Sequence, residues 1–481
     1  MEIIIIPLIA AIVANFLKGK VNKLVWAAIS ATPLIALFYI LKSHNIHNDG
    51  TWVSVIDMPW FSNGIHFNLG IDGLSGLLLV LTNLLVPFII LSNQKENQSS
   101  IIPLTLFMQA ALSGVFMAKD GLMFYIFWEL ALIPIYFMCL IHSSKDNFKT
   151  TLRFFIYTFL GSLAMLASLI YLYLKTEDHS FDYQSLLNVS LNYTESIWVG
   201  AGFLFAFAVK IPLFPFHSWQ ANTYTYAPAQ GSMLLSGIML KMGLYGVIRW
   251  FMPLAAESIN FFQPIVITLA VIGVVYGALV AMRQNDMKRL IAFSSLSHVG
   301  LIAAGFLALG TDSAGLKGGV LQMFVHGVNV VALFYIVELI ETQVGSRNLN
   351  ELGGLAKFNR LFAALYLIVV LGAVAVPFTN GFPGELLLLK SVFSYKTIAG
   401  LFAGLTIILC AVYMLRMYQF SMFGEAKVSF KNLSLAHTWP LILLVLMVLI
   451  IGFFPMLILD TVSPALDKLL LTISNSKGVL S

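Results

Sequence analysis

The sequence predicts an all-α polytopic membrane protein with about fourteen transmembrane helices, and three observations carry that prediction. Hydrophobic residues make up 59% of the 481-residue chain and charged residues only 10%. Mean hydropathy is +0.89, and so few charges could not cover a soluble surface. Apolar runs of roughly 17–25 residues, the length that crosses a bilayer, recur from end to end. In such a chain a net charge of +5 reads as a topology signal, with no nucleic acid among the expected partners.

In chain order the spans are predicted near residues 2–17, 25–41, 70–92, 101–118, 121–141, 151–174, 196–216, 229–252, 262–282, 287–310, 317–341, 361–395, 399–423 and 438–459. The first lacks a basic leader and a small-residue cleavage site, so it reads as a retained span. The longest gaps, 44–70 and 175–195, mix aromatic, acidic and turn residues and read as structured loops or short hairpins. Cys139 and Cys410 lie in apolar runs without a CxxC motif, and nothing in the sequence pairs them. With the amino terminus outside, sixteen basic residues fall on the cytoplasmic side and eight outside. That bias places both termini on the outer, periplasmic side of an integral membrane protein.

The stretch from Glu195 to Trp250 carries the chemistry. Two apolar runs flank the break KIPLFPFH at 210–217, and each holds one lysine, Lys210 and Lys241. A lysine near the bilayer centre costs about 2.5–3.5 kcal/mol on insertion scales, so it is retained for a partner or an ion path. A second proline break, VPFTNGFPGE at 376–385, echoes the first, with His217 and Glu385 each two residues past the second proline. Proline removes a helix donor, so both spans are expected to be discontinuous. Paired broken helices point to a transporter of inverted repeats, against the plainer reading of two proline kinks.

Glu129 lies mid-span with Pro134 five residues on, and needs a cation or a proton. It could instead be half of a structural ion pair. Glu385 could equally be a helix cap. Lys390 lies about 140° round the helix from Glu385, so it is expected to snorkel or pair elsewhere. His217, His298 and His326 are relay candidates because histidine titrates near neutrality, although a lone histidine in a bundle is more often a packing residue. No Cys/His spacing suits a metal. P-loop, Rossmann and nucleophile-elbow signatures are missing.

The segments FWELALIPIYF (127–137), FAFAVKIPLFPFHSW (205–219) with its continuation to Trp250, DMKRLIAFSSLSHVG (286–300) and GFPGE (381–385) resemble the antiporter-like membrane subunits of respiratory complex I. Mrp-type cation/proton antiporters are their relatives. The glutamate at 385 resembles the M-type branch, where sister L- and N-type chains generally carry lysine. The resemblance covers about residues 70–425. It implies three amino-terminal spans in 1–98, two inverted five-helix repeats in 99–252 (spans 4–8) and 262–425 (spans 9–13), and a last span and tail in 426–481. It also implies a proton path: Glu129 and Lys210 as a coupling ion pair, Lys241 as the central proton carrier, Glu385 as the terminal acid, and His217, His298 and His326 at matching polar positions. Cofactors are expected only on partner subunits, which would hold NADH, FMN, iron–sulfur clusters and quinone. The expected partners are L- and N-type neighbours, the lipid bilayer, and protons or Na⁺. A bacterial inner membrane is the implied home. An Mrp-type Na⁺/H⁺ antiporter subunit and a non-pumping structural subunit are the alternatives.

Overall fold

The computed structural model describes residues 1–17, 19–43, 50–61, 65–93, 100–141, 145–309, 313–430 and 433–475. Ten helices among them are long and apolar enough to cross a membrane, and Glu2–Phe16, Ile101–Met117 and Arg360–Ala373 are shorter apolar helices. Polar caps fix where several begin. Asp72 accepts from the Ser75 amide, Asp120 from Leu122 and Met123, and Asp286 from Arg289. Each satisfies amides that the helix start leaves without partners.

Both predicted breaks are present. Tyr193–Lys210 ends in a run of turns before Gln220–Tyr226, and Arg360–Ala373 is separated from Gly381–Tyr395. At the second break Ala375 (φ 59°) and Phe378 (φ 70°) sit in the left-handed region, which side-chain-bearing residues seldom adopt. The fifth span also gives way, at Ala131 between Gly121–Leu130 and Leu132–Leu140. Pro134, two positions into the second piece, cannot donate to the Leu130 carbonyl.

Two expectations need correction. The chain is not wholly helical: Val53–Phe61 and Ile65–Ile71 form an antiparallel hairpin. It occupies the gap read as a loop or hairpin, of which 44–49 and 62–64 lie outside the described residues. A bridge from Leu69 to Ala118 ties the hairpin to the end of Ile101–Met117, and one from Asp120 to Asp182 joins the starts of Gly121–Leu130 and Tyr183–Leu187. The last span is also shorter than expected. Leu435–Phe453 stops before Pro455, and a separate helix, Met456–Asn475, follows where a tail was expected. It packs on the start of Gly73–Leu91, its Thr461 carbonyl lying against Gly73, and Asp467 pairs with Lys317 at 3.0 Å.

Burial is graded across the bundle. The best membrane-crossing windows of Ala229–Leu254, Met287–Leu307 and Ala314–Val344 are 100% buried, whereas that of Thr397–Met422 is 33% buried. A helix apolar on all sides belongs inside a bundle. These three form the axis, and Lys241, His298 and His326 are carried on them. Large apolar side chains such as Trp198, Ile408 and Leu435 are exposed on the other helices, a surface suited to lipid or neighbouring subunits.

Two residues counted for orientation prove buried: Arg249 pairs with Asp72, and Lys288 donates to the Ala227 carbonyl at 3.0 Å. One drops from each side, so the bias stands. Lys18, Lys95, Lys431 and Lys477 lie outside the described residues. The orientation can be tested with cysteines at exposed Arg283 and Ser190, because both native thiols are buried. In intact cells an impermeant thiol reagent should label Ser190→Cys and leave Arg283→Cys untouched. The reverse pattern would invert the topology.

Candidate functional site

Lys241 is fully buried on a helix that departs from α geometry on both sides of it. Leu235–Met239 and Val247–Phe251 are π-helical. The Leu240 amide bonds to the Leu235 carbonyl, five residues back. The Ser236 carbonyl is thereby freed from the partner it would have in an α-helix, and Lys241 Nζ donates to it at 2.6 Å. Such π segments concentrate at functional sites. Here the local unwinding creates an acceptor for an amine that would otherwise lack one.

The second contact of Lys241 is His326 Nδ1, at 2.8 Å. Two glycines permit that approach. A Cβ on Gly237 would lie 2.7 Å from Val331 Cγ2, and one on Gly327 would lie 2.9 Å from the Gly237 carbonyl. The helices cross backbone to backbone one residue from His326, the close packing that small residues allow in membranes.

From His326 the polar groups continue. The His326 and His298 rings are 6.1 Å apart between centroids. His298 Nε2 lies 3.4 Å from Glu385 Oε1, and Gln322 Nε2 lies 3.4 Å from the same oxygen. His298 Nδ1 is 2.9 Å from the Ser294 carbonyl. A carbonyl can only accept, so Nδ1 carries a proton and Nε2 is the atom that faces Glu385. Cys410 Sγ lies 3.6 Å from the same Nε2 and donates to the Ala373 carbonyl. Four sequence-predicted residues, Lys241, His326, His298 and Glu385, thus form one buried file.

The other candidates lie elsewhere. Lys210 is the last residue of its helix and is buried; its Nζ has no hydrogen-bond partner and sits 5.2 Å from the Trp128 ring centre. Glu129 is half-buried, with Oε1 unpartnered. The two interact electrostatically but form no salt bridge in this structure. Lys210 does touch the helix of Lys241: a Cβ on Gly243 would lie 3.3 Å from Lys210 Cβ and 2.7 Å from Ile211 Cγ1. His217 stands apart from the file, its ring between Phe214 and Tyr276 at centroid distances of 5.4 and 5.0 Å. Lys390 is exposed while Glu385 is buried, which keeps it out of the file. Among the described residues no three His, Cys, Asp or Glu side chains are grouped to hold a metal.

Several residues were not singled out in the sequence. Asp72 and Arg249 form a buried ion pair, with the guanidinium 4.2 Å from the Trp52 ring centre. Asp72 also caps its helix through its other oxygen. Gln322 and Asn329 share the His326 helix, and Asn380 Nδ2 donates to Asn329 Oδ1 at 3.0 Å. Gln322 and Asn329 stand four before and three after His326, a spacing that puts all three on one helix face. That pattern was available in QMFVHGVN, but uncharged amides do not stand out from an apolar run as lysine does.

A family model described as "NADH:quinone oxidoreductase/Mrp antiporter, TM" matches residues 118–411. NADH-quinone oxidoreductase subunit M of Rickettsia conorii is 35% identical over 453 residues, covering 92% of this chain and 90% of its own. The subunit M of Escherichia coli K12 is 34% identical over 438 residues, covering 87% and 85%. Among solved structures, a chain of respiratory complex I from Thermus thermophilus superposes with a TM-score of 0.90 at 28% identity, over 98% of this chain and 100% of that one. A chain of the Mrp complex from Dietzia sp. superposes with a TM-score of 0.88 at 20% identity, over 99% and 98%. At that identity the likeness is one of fold.

The Asp72–Arg249 pair yields a stability prediction. Asp72→Ser keeps a cap but strands a buried guanidinium, which should destabilise the chain by about 3–5 kcal/mol. Adding Arg249→Leu should recover most of that loss. Thermal unfolding of the purified assembly, read from release of this chain, measures both. An unshifted midpoint in the single variant would contradict the pairing.

Proposed function

The chain belongs to the family of NADH:quinone oxidoreductase and Mrp antiporter membrane subunits, and from that premise we propose that it is the proton-translocating M-type subunit of a bacterial respiratory complex I. The observation that carries this reading is the buried file Lys241–His326–His298–Glu385. Glutamate at the second break favours the M type over the Mrp alternative, and so do relatives named subunit M at 34–35% identity. We place the chain among L- and N-type neighbours in the inner membrane, both termini outside, with the redox cofactors on other subunits. We count fourteen spans, arranged as two inverted five-helix repeats at 99–252 and 262–425 between flanking segments 1–98 and 426–481. The two broken helices support that arrangement.

The proton step follows from hydrogen-bond chemistry. A charged Lys241 donates to the Ser236 carbonyl and to His326 Nδ1. Passing its proton to Nδ1 leaves a neutral amine and makes His326 a cation able to release a proton from Nε2. His298 holds one proton on Nδ1 against Ser294, so it accepts only on Nε2, facing Glu385. Glu385 stabilises that imidazolium as a carboxylate or takes the proton itself. The file then ends on a carboxyl group from which the proton leaves.

Loading of Lys241 is controlled by Lys210. Moving the Lys210 amine towards Glu129 closes their ion pair and withdraws positive charge from the Lys241 helix. Moving it back does the opposite. The two ends of this switch are spans weakened by Pro134 and Pro212, and Gly243 is where the moving segment bears on the Lys241 helix. Quinone reduction in neighbouring subunits supplies the energy.

Reconstituted vesicles, with quinone reduction followed beside proton translocation, test the reading. Lys241→Ala and Glu385→Gln should nearly abolish translocation in assembled complexes. His326→Gln keeps an acceptor for Lys241 but cannot carry a proton, so translocation should fall on the order of 10²-fold. Normal translocation by Lys241→Ala would remove the file from the proton path. A separate pair of variants addresses the switch. Glu129→Gln with Lys210→Met removes both charges and strands neither, so it should assemble well and translocate poorly. Near-normal translocation by that double variant would reduce Glu129 and Lys210 to a structural pair.

A further inference from the structure

The helix Tyr193–Lys210, which leads into the first break, is flanked by two apolar grooves. One, of about 620 Å³, lies between it and the helix Lys145–Lys175, with Ala164, Ala167, Trp198 and Gly202 in its walls. The other, of about 290 Å³, lies between it and Ile259–Met282 and runs down to Ile211 and Leu213 at the break. The two meet at Ala201 and Phe205, which line both. From Ala201 to Ile211 a helix rises about 15 Å, half of a hydrocarbon core about 30 Å thick. The grooves thus have the reach of one leaflet. Their upper end is polar. Glu195 shares a capping box with Asn192 and accepts from Lys175 at 2.8 Å and from the Tyr171 hydroxyl at 2.9 Å. Lys175 is still exposed, and an ammonium has donors beyond the one this bridge engages. Glu195 lies about 9 Å above Ala201; with the break at the midplane, that brings it to the headgroup layer. Tyr193 and Trp198 stand exposed beside it, as aromatic residues do at a membrane interface. Beyond Lys175 a third cavity, of about 600 Å³, is lined by Glu177, Asp178, Ser185 and Asn188.

We propose that these three spaces form a site for one phospholipid with a phosphoethanolamine headgroup. Its acyl chains lie in the two grooves on either side of Phe205. Its phosphate meets Lys175, and its ammonium enters the cavity of Glu177 and Asp178. Charge order argues for this occupant. Counted outwards from the grooves, a cation comes first and two carboxylates follow, and the headgroup presents phosphate first and ammonium second. A phosphoglycerol headgroup would bring no positive charge to the carboxylates. A quaternary choline group is suited to an aromatic cage. The outer cavity instead offers carboxylates, hydroxyls and an amide, acceptors for a primary ammonium that donates hydrogen bonds. The site does not depend on the relay reading. It does place one acyl chain against Ile211 and Leu213, where the helix carrying Lys210 gives way to the break.

The test uses the assembled complex in phosphatidylcholine vesicles. They carry a trace of phosphatidylethanolamine or of phosphatidylglycerol with a photoreactive diazirine in one acyl chain. Crosslinked peptides are identified by mass spectrometry. The ethanolamine probe should label the peptide containing Ala201–Ile211 several-fold more than the glycerol probe. Ala201→Phe, which fills the meeting point of the grooves, should remove most of that labelling. Glu177→Gln with Asp178→Asn changes two exposed side chains and should bring the two probes to equal labelling. Equal labelling of the unaltered chain by both probes would mean unselective boundary lipid and would overturn the proposal. No labelling by either probe would mean that a neighbouring subunit covers the grooves, and would overturn it too. Undiminished labelling of Ala201→Phe would place the lipid outside the grooves. Should that variant not assemble, the Glu177/Asp178 double variant decides, and an unchanged preference for ethanolamine in it overturns the headgroup assignment.

Discussion

The structure depends on burying one amine without a carboxylate beside it. Lys241 is fully enclosed, and its amine bonds to a backbone carbonyl and an imidazole. An ammonium in such a place is costly, and neither partner carries the negative charge that would fix it there. The π-helical turn before it supplies the carbonyl, and the Gly237–Gly327 crossing supplies the imidazole. The first interrupts the regular hydrogen-bond ladder of the helix and the second lets two backbones approach closely, and together they give the buried amine its two polar contacts.

The contrast with Arg249 shows the difference between a charge that is held and one that is poised. Arg249 has a carboxylate partner in Asp72, lies over the Trp52 ring, and is covered by Tyr183, whose hydroxyl donates to the Arg249 carbonyl. Its partner also caps a helix, so pairing and capping are made by the two oxygens of one side chain. Both carboxylate oxygens are engaged, and breaking the pair strands an ion. Lys210 and Glu129 form no such pair. Lys210 Nζ and Glu129 Oε1 have no hydrogen-bond partner, and both residues stand beside a helix break. An unpaired polar group in a low-dielectric interior is costly, whereas a charge with a carboxylate partner is held in place.

Much of this was legible in the sequence, for physical reasons. The ten long apolar helices followed from apolar length, and both broken helices from their prolines, because a missing amide and a ring clash act locally. Lys241, His298, His326 and Glu385 stood out because ionisable groups are rare in apolar runs, and the structure gathers all four. His217 carried the same signal and lies apart, since a histidine beside a proline break can stack on Phe214 and Tyr276 as readily as join a relay. Arg249 was misread as a surface residue because its partner is 177 positions away in the chain. The π segments left no mark in composition at all. Their effect is a change of hydrogen-bond register within an unbroken apolar run, which periodicity cannot resolve. The hairpin was only a loose expectation, and the closing helix Met456–Asn475 was missed because Asp460, Asp467 and Lys468 break its apolar pattern.

The order of groups along the file bears on how it can be driven. Bases able to hold a positive charge, Lys241, His326 and His298, occupy three successive places, and one carboxyl group closes the line. Adjacent cations repel strongly in a medium of low dielectric, and Glu385 is the one carboxylate in the file, beside His298. In the proposed relay the charge of one group would therefore govern whether its neighbour can be loaded. Under the proposed mechanism Lys210 would not need to touch any member of the file: a movement at the first break, borne on Gly243, would be felt as a change of field at Lys241. The second break would act at the far end, through the half-helix Gly381–Tyr395 that carries Glu385. In the proposed mechanism the two interrupted helices would thus bear on the two ends of the line, one on its loading and the other on its release.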